Sequence, residues 1–151
     1  METKASTSLE TATRLLQLHN SSIVLVKDAK VLYESKAKGI LPYIEAIESL
    51  GHSLTGAALA DRIAGRAAAL LSAYIGVSLA YAETISEGAL EVFANHKIPC
   101  KYDKKVPMIL NRDKTNQCPF EHAVSNLQNP QEAFQRLKQA IRTAKQKPNK
   151  P

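Results

Sequence analysis

The chain reads as an α/β protein, a three-layer α/β/α sandwich around a mixed sheet of about five strands, and three patterns predict it. From Gly56 onward, short apolar runs alternate with helical stripes, the signature of parallel strands joined by helical crossovers. Ahead of them, two strand-like runs are joined by a tight polar connection, a hairpin. In front of the hairpin lies one amphipathic helix. At 151 residues and 44% hydrophobic content, the chain is long enough to bury a substantial core within one domain.

Thr7-Ser8-Leu9-Glu10 has capping-box spacing, and Leu9, Ala12, Leu15, Leu16 and Leu18 follow at helical intervals, so a first helix is expected to run to about His19. Residues 23–26 and 31–33 are the hairpin strands, with Lys27-Asp28-Ala29-Lys30 between them. Gly39 breaks the chain before the stripe Leu41, Ile44, Ile47 and Leu50, which Gly51 ends. Strands are then expected over 57–60 and 77–82, each followed by a helix, over 63–74 and 86–95. Thr84-Ile85-Ser86-Glu87 offers a capping box for the second of these. A further strand spans about 99–106, with Pro99 suited to its start or to an edge. Residues 107–117 are polar and irregular, Cys118 opens a penultimate helix, and Pro130 starts the last one, whose apolar face is Ala133, Phe134, Leu137 and Ile141. Residues 1–130 form the expected domain, 131–144 a helix packed on it, and 145–151 a basic, disordered tail.

The net charge of +6 looks like a nucleic-acid signal until it is located. Arg136, Lys138, Arg142, Lys145, Lys147 and Lys150 follow Glu132, the last acid, and the other 14 basic residues match the 14 acids. With no Trp and 5% aromatic residues the chain has no stacking platform for single strands, so specific nucleic-acid recognition is not expected. No run approaches the ~20 apolar residues of a membrane span. Met1-Glu2-Thr3-Lys4 lacks the apolar core of a secretion signal, which predicts a cytoplasmic protein. Two cysteines, Cys100 and Cys118, make no disulfide framework.

The order helix, hairpin, helix, strand, helix, strand, helix, strand is that of the cytidine-deaminase-like fold. Tyr33-Glu34-Ser35-Lys36, Gly39-Ile40, Ala60-Asp61-Arg62, Gly65-Arg66-Ala67-Ala68-Ala69-Leu70-Leu71, Ser86-Glu87, Asn111-Arg112-Asp113 and Cys118-Pro119-Phe120-Glu121 carry a further resemblance. Over about residues 15–127 the chain resembles a small prokaryotic family of unknown function placed in that superfamily. The resemblance implies the fold and leaves the substrate open. A zinc deaminase sets a His or Cys beside a catalytic Glu at its first crossover helix and a Pro-Cys-x-x-Cys turn at the next. Here those places hold Gly39-Ile40-Leu41 and Asp61-Arg62-Ile63-Ala64-Gly65, and the four histidines stand singly, so neither a metal nor another cofactor is expected.

Two segments could carry chemistry. Arg62 and Arg66, four apart near an expected helix start at the carboxyl end of a strand, repel each other and oppose the helix dipole, and an anion would relieve both. Alternatively, Asp61 is an N-cap paired with one arginine. Cys118 at a cap position, with Pro119 next and Glu121 able to reach back to the cap, is placed to have a lowered thiol pKa, with Arg112 favouring the thiolate and His122 or Asp113 moving protons. The plainer reading is an inert cap. The first functional reading is therefore a metal-free domain binding a small anionic or nucleotide-type ligand through Asp61, Arg62 and Arg66, with Asn111, Arg112, Asp113 and Glu121 closing the pocket. A cysteine-dependent enzyme using Cys118 is the second. The third is a homo-oligomer, a homodimer in the simplest case.

Overall fold

The computed structural model describes residues 3–110 and 115–146. Its elements, in chain order, are α1 (Lys4–Leu18), β1 (Ile23–Lys27), β2 (Lys30–Ser35), α2 (Leu41–Leu50), a short 3-10 turn (Gly51–Leu54), β3 (Ala58–Ala64), α3 (Arg66–Ile75), β4 (Leu79–Ser86), α4 (Glu87–Asn95), β5 (Cys100–Val106), α5 (Pro119–Ala123) and α6 (Pro130–Gln146). The strands form one mixed sheet in the order β2-β1-β3-β4-β5. The hairpin and the β1–β3 pair are antiparallel, and β3, β4 and β5 are parallel. The predicted α/β architecture and element order hold.

Strand alternation sorts the two faces of the sheet. Val24 and Val26 of β1 and Ala58 and Ala60 of β3 point to one side, where with Tyr81 they meet Leu9, Ala12 and Leu16 of α1. Ile23, Leu25 and Leu59 point to the other, into the main core built with α2, α3, α4 and α6. The two crossovers that parallel pairing requires, α3 and α4, both contribute to this second side. There α6 lays Ala133, Phe134 and Leu137 into the core, and Tyr74 stacks on Phe134 with centroids 4.5 Å apart. Tyr43 and Tyr81 are buried, while Tyr74 remains 39% exposed.

Several boundaries differ from the sequence expectation, each for a local reason. Helix α1 starts one turn early because Thr3, not Thr7, is its N-cap, accepting the Ser6 N–H at 3.0 Å. At α4 the cap is Ser86, accepting the Ala89 N–H at 3.0 Å, so Thr84 belongs to β4. Helix α6 continues to Gln146, past the expected end at 144, and the rest of the tail lies outside the described residues. The largest difference is at β3, which runs on through Ala64.

The hairpin turn is two residues, Asp28-Ala29, closed by the Lys27–Lys30 pair, and both central residues have positive φ, 50° and 65°. Such a turn matches the right-handed twist of the strands but strains a residue with a Cβ. Asp tolerates this backbone and Ala does not. Ala29→Gly is expected to stabilise the protein by about 1 kcal/mol in urea unfolding; an unchanged or lowered midpoint would show that the turn is not strained.

Candidate functional site

The extension of β3 decides where the charged residues go. Asp61 and Arg62 lie inside the strand, not at a helix start, and consecutive strand residues point to opposite faces. Arg62 and Arg66 therefore do not share a helix face, and the i, i+4 helical spacing on which their repulsion was expected does not exist.

Asp61 points toward α2. Its carboxyl is 6% exposed, accepts the Tyr43 O–H through Oδ2 at 2.5 Å, and accepts the Ile63 N–H through Oδ1 at 3.2 Å. Burial pushes its pKa up to about 7, against the downward pull of the Tyr43, Ile63 and Arg62 hydrogen bonds and the Arg62 charge. Tyr43 is raised well above the usual phenol range by its own burial and then by Asp61. The Cys100 thiol, on β5, is driven up to about 12 by burial and by the same carboxylate, so it carries no thiolate at neutral pH.

Arg62 points to the α1 side. Its Nε donates to the Ser21 carbonyl at 3.1 Å, Nη2 to the Leu16 carbonyl at 2.9 Å, and Nη1 pairs with Glu83 at 2.6 Å. The guanidinium closes the C-terminal turn of α1, where a cation suits the helix dipole. Both partners of the Glu83 pair are partly exposed, so that pair itself adds little to stability.

Arg66 opens α3, and the anion at that helix start is internal. Glu121 of α5, 6% exposed, accepts the Arg66 N–H through Oε1 at 2.6 Å and the Ala67 N–H through Oε2 at 2.7 Å. The sequence suggested that Glu121 reaches back to its own helix cap; it caps α3 instead, 55 positions upstream. Burial raises its pKa, and the Ala67 and Arg66 N–H groups and the Arg66 charge oppose the rise. The Arg66 side chain closes the arrangement, with Nε on the Val124 carbonyl at 3.2 Å and Nη2 on the Leu127 carbonyl at 2.6 Å. Gly65 makes room for it, because a Cβ there would lie 2.5 Å from Cδ of Glu121. Asp61 is thus not the N-cap of this helix; Gly65 holds that position.

Cys118 is half-buried at the cap of α5, a helix of five residues, and makes no side-chain capping bond. Its expected helpers Arg112 and Asp113, and Asn111 of the expected pocket closure, lie outside the described residues, and His122 is exposed.

An open polar cleft lies elsewhere, beside the carboxyl-terminal half of β3. A cleft of about 500 Å3 is lined by Lys36, Lys38, Gly39, Asp61, Arg62 and Ile63, together with residues 20–23. Lys36, Lys38 and Gly39 come from the segment joining the hairpin to α2, and Asp61 and Arg62 from the carboxyl-terminal half of β3. The cleft sits where the sheet changes from antiparallel to parallel pairing, next to the carboxyl end of a central strand, the usual ligand position in open α/β sheets. Asp61 and Arg62 were expected at a ligand site and the two lysines were not; Lys36-Ala37-Lys38-Gly39, two cations before a helix-opening glycine, was the available signal.

Beside this cleft, Glu34 Oε2 accepts the Ser21 hydroxyl and contacts His19 Nδ1 at 2.8 Å. Burial would raise the Glu34 pKa, but these two partners outweigh it and hold the carboxyl below its usual range. The carboxylate, not the imidazole, is the central group, and Ser21 and His19 both meet it rather than each other, unlike the hydroxyl–imidazole–carboxylate order of a hydrolase triad. Among the described residues no three His, Cys, Asp or Glu side chains stand close enough to hold a metal ion, and no helix is long and apolar enough to cross a membrane.

A mixed sheet in the order β2-β1-β3-β4-β5, with helices on both faces, defines an α/β sandwich. The chain belongs to the TM1506 family, a domain of unknown function (DUF1893), whose model matches residues 11–141. It is similar to the crystal structure of a DUF1893 family protein (TM1506) from Thermotoga maritima, with a TM-score of 0.80 and 24% identity over 96% of both chains. A diaminohydroxyphosphoribosylaminopyrimidine deaminase/5-amino-6-(5-phosphoribosylamino)uracil reductase from the same organism matches at a TM-score of 0.45 and 19% identity, over 78% of this chain and 40% of that one. No curated protein matches the chain.

Proposed function

We propose that this chain is a binding domain for a small anionic ligand of phosphate or nucleotide type, held in the cleft between the 36–39 segment and β3. The observation that carries the reading is convergence of charge: Lys36, Lys38 and Arg62 line the cleft, and Asp61 is the one acid among its lining residues. Arg62 spends three donors on protein partners, which fixes its guanidinium, while Lys36 and Lys38 are exposed and free to move onto an anion. The division suits recognition, with one rigid cation and two adaptable ones. Arg66 and Glu121 act behind this site, satisfying the α3 N-terminus so that an external anion is not needed there.

A thermal-shift screen tests the reading with inorganic phosphate, nucleoside monophosphates and uncharged nucleosides, on the wild type and on Lys36→Ala/Lys38→Ala. A ligand at a hundred times its dissociation constant stabilises by about 2.7 kcal/mol, a rise of roughly 5–10 °C for a domain of this size. The expected result is a rise with a phosphorylated compound in the wild type and none in the double variant. Equal responses in the two proteins, or none in either, would remove the cleft as the binding site.

A further inference from the structure

The cation-lined cleft has a neighbour across Gly39. Lys38 and Gly39 also line a second cleft, of about 280 Å3, whose other walls are Ile40, Leu41, Phe120, Ile141 and Ala144. Apart from Lys38 its lining side chains carry no charge, and it lies between the start of α2, α5 and the last turns of α6. Gly39 is the shared rim. Its φ of +79° suits glycine, and a Cβ built there meets no atom within 4 Å, so nothing crowds the rim at this point. Together the two volumes fall within the usual size of small-molecule sites, which combine an apolar body with a few placed polar groups.

Resting on the anion-binding reading above, we infer that the ligand is amphiphilic: an organic phosphate or carboxylate whose charged head meets Lys36, Lys38 and Arg62 and whose apolar body, one or two rings in size, crosses Gly39 into the Phe120–Ile141 cleft. Phe120 and Ile141 are half-buried, so each presents apolar surface to this cleft while anchored in the main core. An inorganic anion would fill only the first half. A polar nucleobase would leave its hydrogen-bonding edge against walls with little to pair it, at the cost of desolvation.

Calorimetric titration with inorganic phosphate, phenyl phosphate, 1-naphthyl phosphate and adenosine monophosphate tests this, on the wild type, on Lys36→Ala/Lys38→Ala and on Ala144→Glu. Ala144 is exposed near the end of a helix, so glutamate is tolerated by the fold while setting a charge in the apolar half. In the wild type, affinity is expected to rise tenfold or more from phosphate to naphthyl phosphate, with adenosine monophosphate below naphthyl phosphate. Ala144→Glu should erase most of that gain and leave phosphate binding within twofold of wild type. Phosphate bound as tightly as its aryl esters would overturn the amphiphilic ligand and leave the anion cleft standing. No binding by any probe would remove both readings. Naphthyl phosphate binding that ignores the lysine variant would place the probe elsewhere and overturn the inference.

Discussion

Asp61→Asn is expected to stabilise the protein by up to roughly 4 kcal/mol at pH 8 and to flatten its stability profile between pH 4 and 7. The native carboxyl titrates near 7 because it is buried beside Tyr43, whereas in the unfolded chain it ionises near 4. Between those values the native protein holds a proton that the unfolded chain has released, so stability falls as pH rises through this window and levels off above 7. Asparagine never ionises. Its Oδ1 keeps accepting the Ile63 N–H and its Nδ2 donates to the Tyr43 oxygen, while the Tyr43 hydroxyl proton turns to the neighbouring Ser72 hydroxyl. Urea unfolding at pH 5, 7 and 9 measures the effect: the two proteins should be close at pH 5 and diverge toward pH 9. Parallel curves would mean that Asp61 is not the group that titrates.

The second large effect belongs to the α3 cap. Glu121→Ala leaves the Arg66 and Ala67 N–H groups without their acceptor in a mostly buried setting, an expected loss of about 2–4 kcal/mol. Gly65→Ala reaches the same end by another route, since the new methyl group and the Glu121 carboxyl cannot both fit. Its cost is therefore bounded by that of expelling Glu121. The double variant should cost much less than the sum of the two, a coupling of about 1–3 kcal/mol in a double-mutant cycle. Strict additivity would show that Gly65 is needed for some reason other than Glu121.

Both effects arise where the sequence was hardest to read. The fold class was legible because its signals are local: strand runs of two-residue period, helical stripes, and glycines at the breaks. Asp61-Arg62 after four apolar residues has the local signature of a strand end. The strand continues because Tyr43, 18 positions earlier, and Ser21, 41 positions earlier, supply partners that no window on the sequence contains. The same holds for Glu121, whose spacing from Cys118 fits a local capping box while its carboxylate serves a helix on another part of the chain. Lys36 and Lys38 look like solvated loop charges until the cleft beside them is seen. Composition and periodicity report what a segment prefers, and a site is made by segments that meet.

That meeting also has an order in time. As the chain leaves the ribosome, α3 is completed long before Glu121 is, and its first amides have no carboxylate to hold them until α5 has emerged. The Arg66 side chain likewise waits for the carbonyls of Val124 and Leu127. A nascent chain that has not yet passed Leu127 thus carries the whole sheet but lacks every group that holds the first turn of its central helix.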